Sequence, residues 1–461
     1  MWRARCVDEA HGGFGRRLGE TGWSKGQHRA PSRPHRPGRG CHDAIAAIYN
    51  TASGKTAKRL WVLDADLAAA FDQLDHTHLL NQLGGFPGRG LVAGWLRAGA
   101  VERGRFTPTG RGSPQGGVIS PLLMNVALHG MEQAAGVRYY AGAPTNETAR
   151  GAPVLVRYAD DLLALCHSRQ QAEQVKTRLA AWLAPRGLAF NDDKTAIRHL
   201  DTEGCDFLGY SIRRHRGKLL IKPSTTATRR IRKRLTTEVK ALRGANASAV
   251  IGTLNPIIRG WAAYYRNVVS SRAFALLDDH LWRLTYKWAG RRHANKPKYW
   301  VTARYFGRFH PSRQDHWVFG DRDSGAYLAK FSWTKIVRHT LVNADASPDD
   351  PALADYWAQR RRRNPPRLDR TTLRQLLTQQ GRCHACGGLL LHADHEPHSP
   401  HEWEQWFKVI RKAIRHQAIL TDAGPSPDDP VVPRLIHAHC QQHPPARAQH
   451  HRSPYPPSGL A

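Results

Sequence analysis

The first half of the chain alternates between two patterns of apolar and polar positions. Short apolar runs at residues 61–63, 154–156 and 162–165 predict buried β-strands. Residues 42–50 and 170–183 instead repeat their apolar positions at helical spacing and predict amphipathic helices. These patterns predict a chain that contains both strands and helices.

Carboxylates stand at the ends of these predicted strands. Asp66 follows the first run, and residues 154–166 predict a hairpin whose tight turn carries Asp160 and Asp161. Two adjacent carboxylates repel each other unless a cation neutralises them, although such a pair is also ordinary turn chemistry. Three carboxylates together provide the oxygen ligands that Mg²⁺ ions use in phosphoryl transfer. After Asp66, the alanines at residues 68–70 favour a helical start.

Beyond two further predicted strands at residues 207–212 and 218–221, the chain becomes basic and helical. Ser224 is the expected N-cap of a helix over residues 224–243. This helix crowds positive charges together at Arg229, Arg230, Arg232, Lys233 and Arg234. Because these charges repel one another, we favour a phosphate-bearing partner, with a solvated surface helix as the alternative.

Aromatic residues dominate the segment that follows. Residues 254–293 show a helical core pattern with basic residues between the apolar ones. Residues 299–335 are aromatic and basic, and we expect a small strand-rich appendage there. Residues 341–370 predict a basic linker, which also suits contact with a DNA backbone.

A Cys-x-x-Cys knuckle, Cys383 and Cys386, lies near the C-terminus. Cys440 is the only other cysteine within reach, and His437 and His443 lie beside it. Three thiols and one histidine make a tetrahedral zinc site, and we predict His437 as the histidine ligand. A region with so little apolar sequence needs such a metal in order to fold.

The charge of the chain narrows the choice of partner. The 461 residues include 69 lysines and arginines but 37 aspartates and glutamates, a formal net charge of +32. This excess favours a polyanion, and nucleic acid is the natural one. No apolar run reaches the roughly 18 residues of a membrane-spanning helix, so we predict no membrane partner. Seven scattered cysteines indicate a reducing cytoplasm, and the arginine- and alanine-rich composition a bacterial one.

Three motifs, taken in order, resemble a known family. They are Asp66 with Phe71 five residues on, then SPQGGVISPLL at residues 113–123, then YADD at residues 158–161. In this order they resemble the reverse transcriptases encoded by group II introns. Lys194 stands where that family has a lysine.

The resemblance implies roles for individual residues. Asp66, Asp160 and Asp161 would be catalytic and hold Mg²⁺. Phe71 would block a ribose 2′-OH and so select deoxynucleoside triphosphates, and a plain core role is the alternative. Glycines of the second motif permit close backbone approach to a phosphodiester. The other implied substrate-binding residues are Pro114, Gln115, Gly116 and Lys194.

The later part of the chain extends the resemblance. Asn255-Pro256, Gly260-Trp261 and Tyr264-Tyr265 closely resemble the family's maturase, or thumb, domain. This implies binding of the intron's own RNA and assistance in splicing.

The knuckle and the pair Asp394-His395 resemble the HNH endonuclease module that ends many of these proteins. Asp394 would then bind a metal ion and His395 would act as the general base. The family's downstream asparagine has no counterpart here. An active nuclease and a degenerate module kept for DNA binding or folding therefore remain alternatives.

Together, residues and resemblance predict a multidomain α+β protein built on a right-hand polymerase palm. The expected order is a leader at 1–35, a palm with a remnant of the fingers at 36–222, a thumb/maturase domain and appendage at 223–340, the linker at 341–370, a zinc-knuckle ββα-type HNH-like domain at 371–445, and a disordered tail at 446–461. Most of the family's fingers has no counterpart in this sequence.

The expected function is that of an RNA-directed DNA polymerase and splicing maturase acting in intron retrohoming. Its expected partners are group II intron RNA, target DNA and deoxynucleoside triphosphates, and its cofactors Mg²⁺ and Zn²⁺. The missing fingers motifs leave a non-polymerising splicing cofactor or an inactive fragment as one alternative. A DNA endonuclease with a vestigial polymerase is the other.

Overall fold

The fold is described by a computed structural model over defined parts of the chain. The described residues are 39–102, 105–107, 109–113, 119–140, 148–343, 346, 350–363, 375, 378–379, 383–385, 399–405, 419–422, 434–437 and 440. The predicted leader and the predicted tail lie outside them.

Helices and strands alternate through the described part of residues 39–223, as the apolar pattern predicted. In chain order the elements are α1 (Cys41–Ala52), β1 (Trp61–Asp66), α2 (Ala70–Gln73), α3 (His76–Gln82), α4 (Arg89–Arg97), β2 (Ala100–Glu102), β3 (Arg105–Thr107), α5 (Ser120–Ala127), α6 (Met131–Ala134), β4 (Val154–Tyr158), β5 (Asp161–Cys166), α7 (Arg169–Leu183), β6 (Ala196–His199), β7 (Cys205–Phe207), β8 (Tyr210–His215) and β9 (Lys218–Pro223).

Helices dominate the rest of the described chain. The elements there are α8 (Thr225–Ala241), α9 (Ala247–Tyr265), α10 (Ser271–Arg292), α11 (Lys298–Tyr305), β10 (Phe306–Gly307), β11 (Val318–Phe319), α12 (Ala354–Arg363), β12 (Ile419–Asp422) and β13 (Arg434–His437). Among the described helices, none has both the length and the apolar character needed to cross a lipid bilayer.

A four-stranded antiparallel sheet with the order β4-β5-β1-β6 forms the centre of the palm. Both of its faces are covered, so the central strands are apolar on both sides. Val62 and Leu165 pack into a core on one face, shared with the thumb helices. Leu63 and Ala164 pack into a second core on the other face, together with α7.

A three-stranded sheet, β7-β8-β9, follows the palm sheet in the chain and leads into helices α8–α10, the region predicted as the thumb. Ser224 ends this sheet and caps α8, because its side chain accepts a hydrogen bond from the backbone N–H of Ala227 at 3.1 Å. The predicted N-cap is therefore confirmed. One face of α8 packs into the shared core through the buried residues Ile231, Leu235 and Val239.

The structure corrects the predicted helical start at residues 68–70. Ala69 has a left-handed backbone with a φ of 44°, and α2 begins only at Ala70. The chain stays extended after β1 because Leu67 bridges Phe190, and Ala68 donates a backbone hydrogen bond to Ala189 at 2.9 Å. A tertiary contact thus overrides the helix propensity of alanine.

One further prediction, the strand-rich appendage, needs correction. The expected strand-rich appendage consists of helix α11 and two strands of only two residues each, because its aromatic residues pack as core. The ring of Tyr305, for example, stacks on Phe319. The expected linker contains helix α12, and it is anchored on α1 by a 2.9 Å hydrogen bond from the Val342 N–H to Asp43.

Candidate active site

Strand register brings the predicted catalytic carboxylates to one end of the palm sheet. Asp66, the last residue of β1, lies directly opposite Asp161, the first residue of β5. Directly opposed residues point to the same face with Cβ atoms about 4.5–5.5 Å apart. Asp160 precedes Asp161 in the turn after Tyr158, where Ala159 takes a left-handed φ of 54°. Residues far apart in sequence thus form one acidic cluster.

The surroundings of the acidic cluster raise the pKa of one of its members, Asp161. Burial raises the pKa of Asp161 to about 6, and the neighbouring charges of Asp160 and Asp66 add to this rise. The ammonium of Lys194 opposes it. A site that holds several carboxylates at such cost is typical of one that binds a cation.

Lys194 supplies a positive charge to this cluster. Its Nζ donates a hydrogen bond to Asp66 Oδ2 at 2.6 Å, and this contact raises the pKa of the lysine. The turn that carries Lys194 is tied to β1, because the Asn191 N–H donates to the Asp66 carbonyl at 2.8 Å. The lysine side chain is 65% exposed, whereas that of Asp66 is 19% exposed. Its ammonium stands in for part of the positive charge that the carboxylates require.

Asp64 is a further carboxylate that the sequence prediction missed. Burial raises its pKa to about 6, and Arg198, 3.3 Å away, opposes the rise. Asp64 and Asp66 lie two residues apart on β1 and so share one face of the sheet. The spacing Asp-x-Asp at a strand end was the signal that could have identified it.

The segment that carries Phe71 is bonded to the beginning of the predicted glycine-rich motif. Ser113 donates its backbone N–H to the Phe71 carbonyl at 2.6 Å. Gly112 has a φ of 76°, and a Cβ there would lie 2.5 Å from the same carbonyl oxygen. This glycine therefore permits close approach to the protein's own backbone. The side chain of Phe71 is half-buried against the second core. Pro114, Gln115 and Gly116 lie outside the described residues.

The predicted basic cluster divides into two groups on α8. Four of its side chains are exposed: Arg229, Arg230, Arg232 and Lys233. Arg234 is instead half-buried and lies 2.7 Å from Glu404 Oε2. The four exposed side chains form a basic surface on α8, whereas Arg234 has an acidic partner.

A possible metal site lies in the C-terminal region. One ligand atom each from Cys383, His437 and Cys440 lies within 4.8 Å of the others. Cys440 Sγ is 3.8 Å from His437 Nδ1, and both cysteines are buried. Cys386, Asp394 and His395 lie outside the described residues, so the fourth ligand and the nuclease pair stay predictions.

Comparison with known families defines the class of protein. Residues 21–212 match the family described as reverse transcriptase (RNA-dependent DNA polymerase). The matched range contains the palm sheet and the acidic cluster. Residues 228–306 match the group II intron, maturase-specific domain. The two matches in this order support the group II intron-encoded reverse transcriptase and maturase family, as the motifs predicted.

Similar proteins include members of this group. Protein YkfC of Escherichia coli (strain K12) is 31% identical over 211 residues, which cover 40% of this chain and 55% of YkfC. The group II intron-encoded protein LtrA of Lactococcus lactis subsp. cremoris is 24% identical over 40% of this chain and 39% of LtrA. An uncharacterized 91 kDa protein in the cob intron of Schizosaccharomyces pombe is 25% identical, covering 53% of this chain and 39% of that protein. The matched region spans about half or less of these relatives.

Among solved structures, telomerase from Candida tropicalis in complex with a TWJ fragment of telomeric RNA is 11% identical, with a TM-score of 0.32. The match covers 65% of this chain and 53% of the telomerase. A likeness this distant carries no functional argument.

Proposed function

We propose that this protein is an RNA-directed DNA polymerase and splicing maturase of a group II intron, acting in retrohoming. The pairing of Asp66 with Asp161 beside Asp160, inside a reverse transcriptase domain, is the observation that carries the proposal. A purely structural palm gains nothing from neighbouring carboxylates that raise the pKa of Asp161. A nucleotidyl-transfer site needs them.

The donor set fits Mg²⁺. Asp66, Asp160 and Asp161 offer hard carboxylate oxygens at one sheet end, and one of these carboxylates already attracts the ammonium of Lys194. When bound there, two Mg²⁺ ions supply positive charge to the attacking and leaving oxygens of phosphoryl transfer. Lys194 is hydrogen-bonded to Asp66, and its exposed side chain can turn from this carboxylate to a phosphate of the incoming nucleotide.

Phe71 is proposed to select deoxynucleotides. Its carbonyl is fixed by Ser113, and its ring is half-buried against the second core. A ring held in this way excludes a ribose 2′-OH by contact, so the core role and the selective role coincide. Pro114, Gln115 and Gly116 are proposed nucleotide contacts on the strength of their motif.

The thumb is proposed to bind the intron RNA. Arg229, Arg230, Arg232 and Lys233 are exposed on α8, at the start of the matched maturase-specific domain. The phosphates of RNA would neutralise these crowded positive charges, and the core beneath them would not have to move. The same net positive charge would attract the phosphates of target DNA.

We propose that a zinc ion is bound by Cys383, His437 and Cys440, with Cys386 as the fourth ligand. Two ligands of a tetrahedral zinc ion lie about 3.3–3.8 Å apart, given bonds of about 2.0–2.3 Å. The 3.8 Å separation of Cys440 Sγ and His437 Nδ1 fits this geometry. Zinc bound here supplies folding energy to the C-terminal region. DNA cleavage by Asp394 and His395 stays a prediction from the sequence.

Primer extension tests the proposal. The purified chain should add deoxynucleotides to a DNA primer on an RNA template with Mg²⁺. Asp160→Asn should reduce the rate at least a thousandfold, because it removes a proposed ligand. Asp193→Asn is the matched control, since Asp193 is an exposed carboxylate of the same domain and the substitution removes the same charge. Equal extension by wild type and Asp160→Asn would refute the assigned site, and no extension by the wild type would refute the polymerase.

Splicing of a precursor RNA separates the two activities. The Asp160→Asn variant should splice as well as wild type, because intron binding is assigned to the thumb. If wild type splices without extending a primer, the protein is a splicing cofactor instead.

A further inference from the structure

A short piece of the C-terminal region is seated on the thumb. Residues 400–405 are helical, and their backbone passes directly over Gly260 in α9. A Cβ at Gly260 would lie 2.6 Å from the Pro400 carbonyl oxygen and 2.7 Å from the Glu404 nitrogen. Real Cβ atoms essentially never come so close to backbone, so this contact requires glycine at residue 260.

An ion pair secures the same contact. Glu404 is only 2% exposed, and its Oε2 lies 2.7 Å from Arg234 Nη2 on α8. His401 Nδ1 lies 3.8 Å from the same oxygen. A carboxylate taken out of water is stable only beside such a positive charge. While Glu404 holds Arg234, this arginine is not available to a phosphate.

The seated piece also reaches the hairpin that carries the acidic cluster. Trp403 packs against the core shared by palm and thumb. Burial raises the pKa of the Tyr158 phenol, and the charge of Glu402 adds to the rise. Tyr158 pairs with Asp161 across the hairpin. Residues 399–405 therefore pack beside α8 and α9, and the charge of Glu402 acts on the hairpin.

We propose that residues 399–405 are an intramolecular docking segment that competes with nucleic acid for the thumb. Glu402 and Glu404 present carboxylates where the phosphates of a bound strand would otherwise meet α8. The docked segment keeps nucleic acid away from Arg234, and release of the segment makes Arg234 a further phosphate contact. The docking rests on contacts alone, whereas the competition rests also on the proposed function.

Glu404→Gln is the first test, because it removes the charge that holds Arg234 while keeping the size of the side chain. Glu238→Gln is its control, since it makes the same change in net charge one helical turn beyond Arg234. Hydrogen exchange of the amides in residues 399–405 reports docking directly. Exchange should be at least tenfold faster in Glu404→Gln and unchanged in the control.

Gly260→Ala is the second test, and it leaves every charge in place. Alanine favours the helical backbone, so α9 should remain folded while the added methyl pushes the segment away. Exchange in residues 399–405 should again become faster, with the amides of β1 and β5 unchanged. If neither Glu404→Gln nor Gly260→Ala alters this exchange, the docking is refuted.

Salt titration of RNA binding tests the competition. One added phosphate contact steepens the slope of log K against log salt by about 0.7 for a single strand. Glu404→Gln should show this change, and Glu404→Gln with Arg234→Ala should lose it. Faster exchange with an unchanged slope would refute the competition. A wild-type chain that binds no RNA would refute the proposed function and the competition with it, while the exchange data would still decide the docking.

Discussion

Replacement of Asp161 by asparagine should stabilise the palm while abolishing its chemistry. The folded protein raises the pKa of this carboxyl from its ordinary value of 3.8 to about 6. Each pKa unit corresponds to about 1.4 kcal/mol, so the ionised form costs about 3 kcal/mol before screening. Because the side chain is partly exposed to solvent, roughly 1–2 kcal/mol is the expected effect at pH 7. Asparagine removes this cost with little change in shape.

The stability gained by Asp161→Asn should increase as the pH rises. The folded-state pKa of Asp161 lies above the unfolded-state value, so the folded protein binds this proton more tightly. Below about pH 4 both states are protonated and the cost is absent. It grows between about pH 4 and pH 6 and is complete above pH 6. Wild type and Asp161→Asn should therefore be equally stable at low pH and diverge as the pH rises.

Hydrogen exchange of the β1 and β5 amides measures the free energy of opening for this sheet alone. Without Mg²⁺ at pH 7, these amides should exchange about five- to thirtyfold more slowly in Asp161→Asn. Asp193→Asn, which removes an exposed carboxylate, should change the opening free energy by less than about 0.5 kcal/mol. Faster exchange in Asp161→Asn than in wild type would refute the electrostatic reasoning.

Three further outcomes are expected. Reversal of charge at Arg230 and Lys233, to glutamate, should flatten the salt slope of RNA binding by about 1.4, because two phosphate contacts are lost; an unchanged slope would make α8 a solvated surface. Phe71→Ala should raise ribonucleotide incorporation at least tenfold relative to deoxynucleotide incorporation, measured in single-nucleotide extension; equal selectivity would leave Phe71 as a core residue. Chelation of zinc, or Cys383→Ser, should expose β12 and β13 to proteolysis without altering the exchange of β1 and β5; full protection after chelation would exclude a structural zinc.

The apolar runs predicted the palm strands because burial on both faces leaves a direct mark on the sequence. The YADD hairpin and Asp66 were likewise predicted, and register does bring them together. The partner of Lys194 was not predicted, because Asp66 lies 128 residues away and only the folded chain makes the contact. Long-range contacts of this kind leave no local pattern.

The failures have similar causes. Alanine propensity predicted a helix after Asp66, but the bond from Ala68 to Ala189 and the left-handed backbone of Ala69 delay the helix to Ala70. Aromatic residues after Tyr299 were taken for strands, whereas several of them pack as core around α11. An acidic residue in a basic chain is expected in solvent, so the buried Glu404 was not anticipated.

Titration with Mn²⁺, a spectroscopic substitute for Mg²⁺, most directly tests the central claim that the three palm carboxylates form one metal site. Electron paramagnetic resonance counts free Mn²⁺ and so measures binding without requiring activity. Wild type should bind Mn²⁺ at pH 7, and Asp66→Asn and Asp161→Asn should each weaken binding at least tenfold, although the two residues lie on different strands. Asp193→Asn should bind like wild type. Equal Mn²⁺ affinity in wild type, Asp66→Asn and Asp161→Asn would contradict the account.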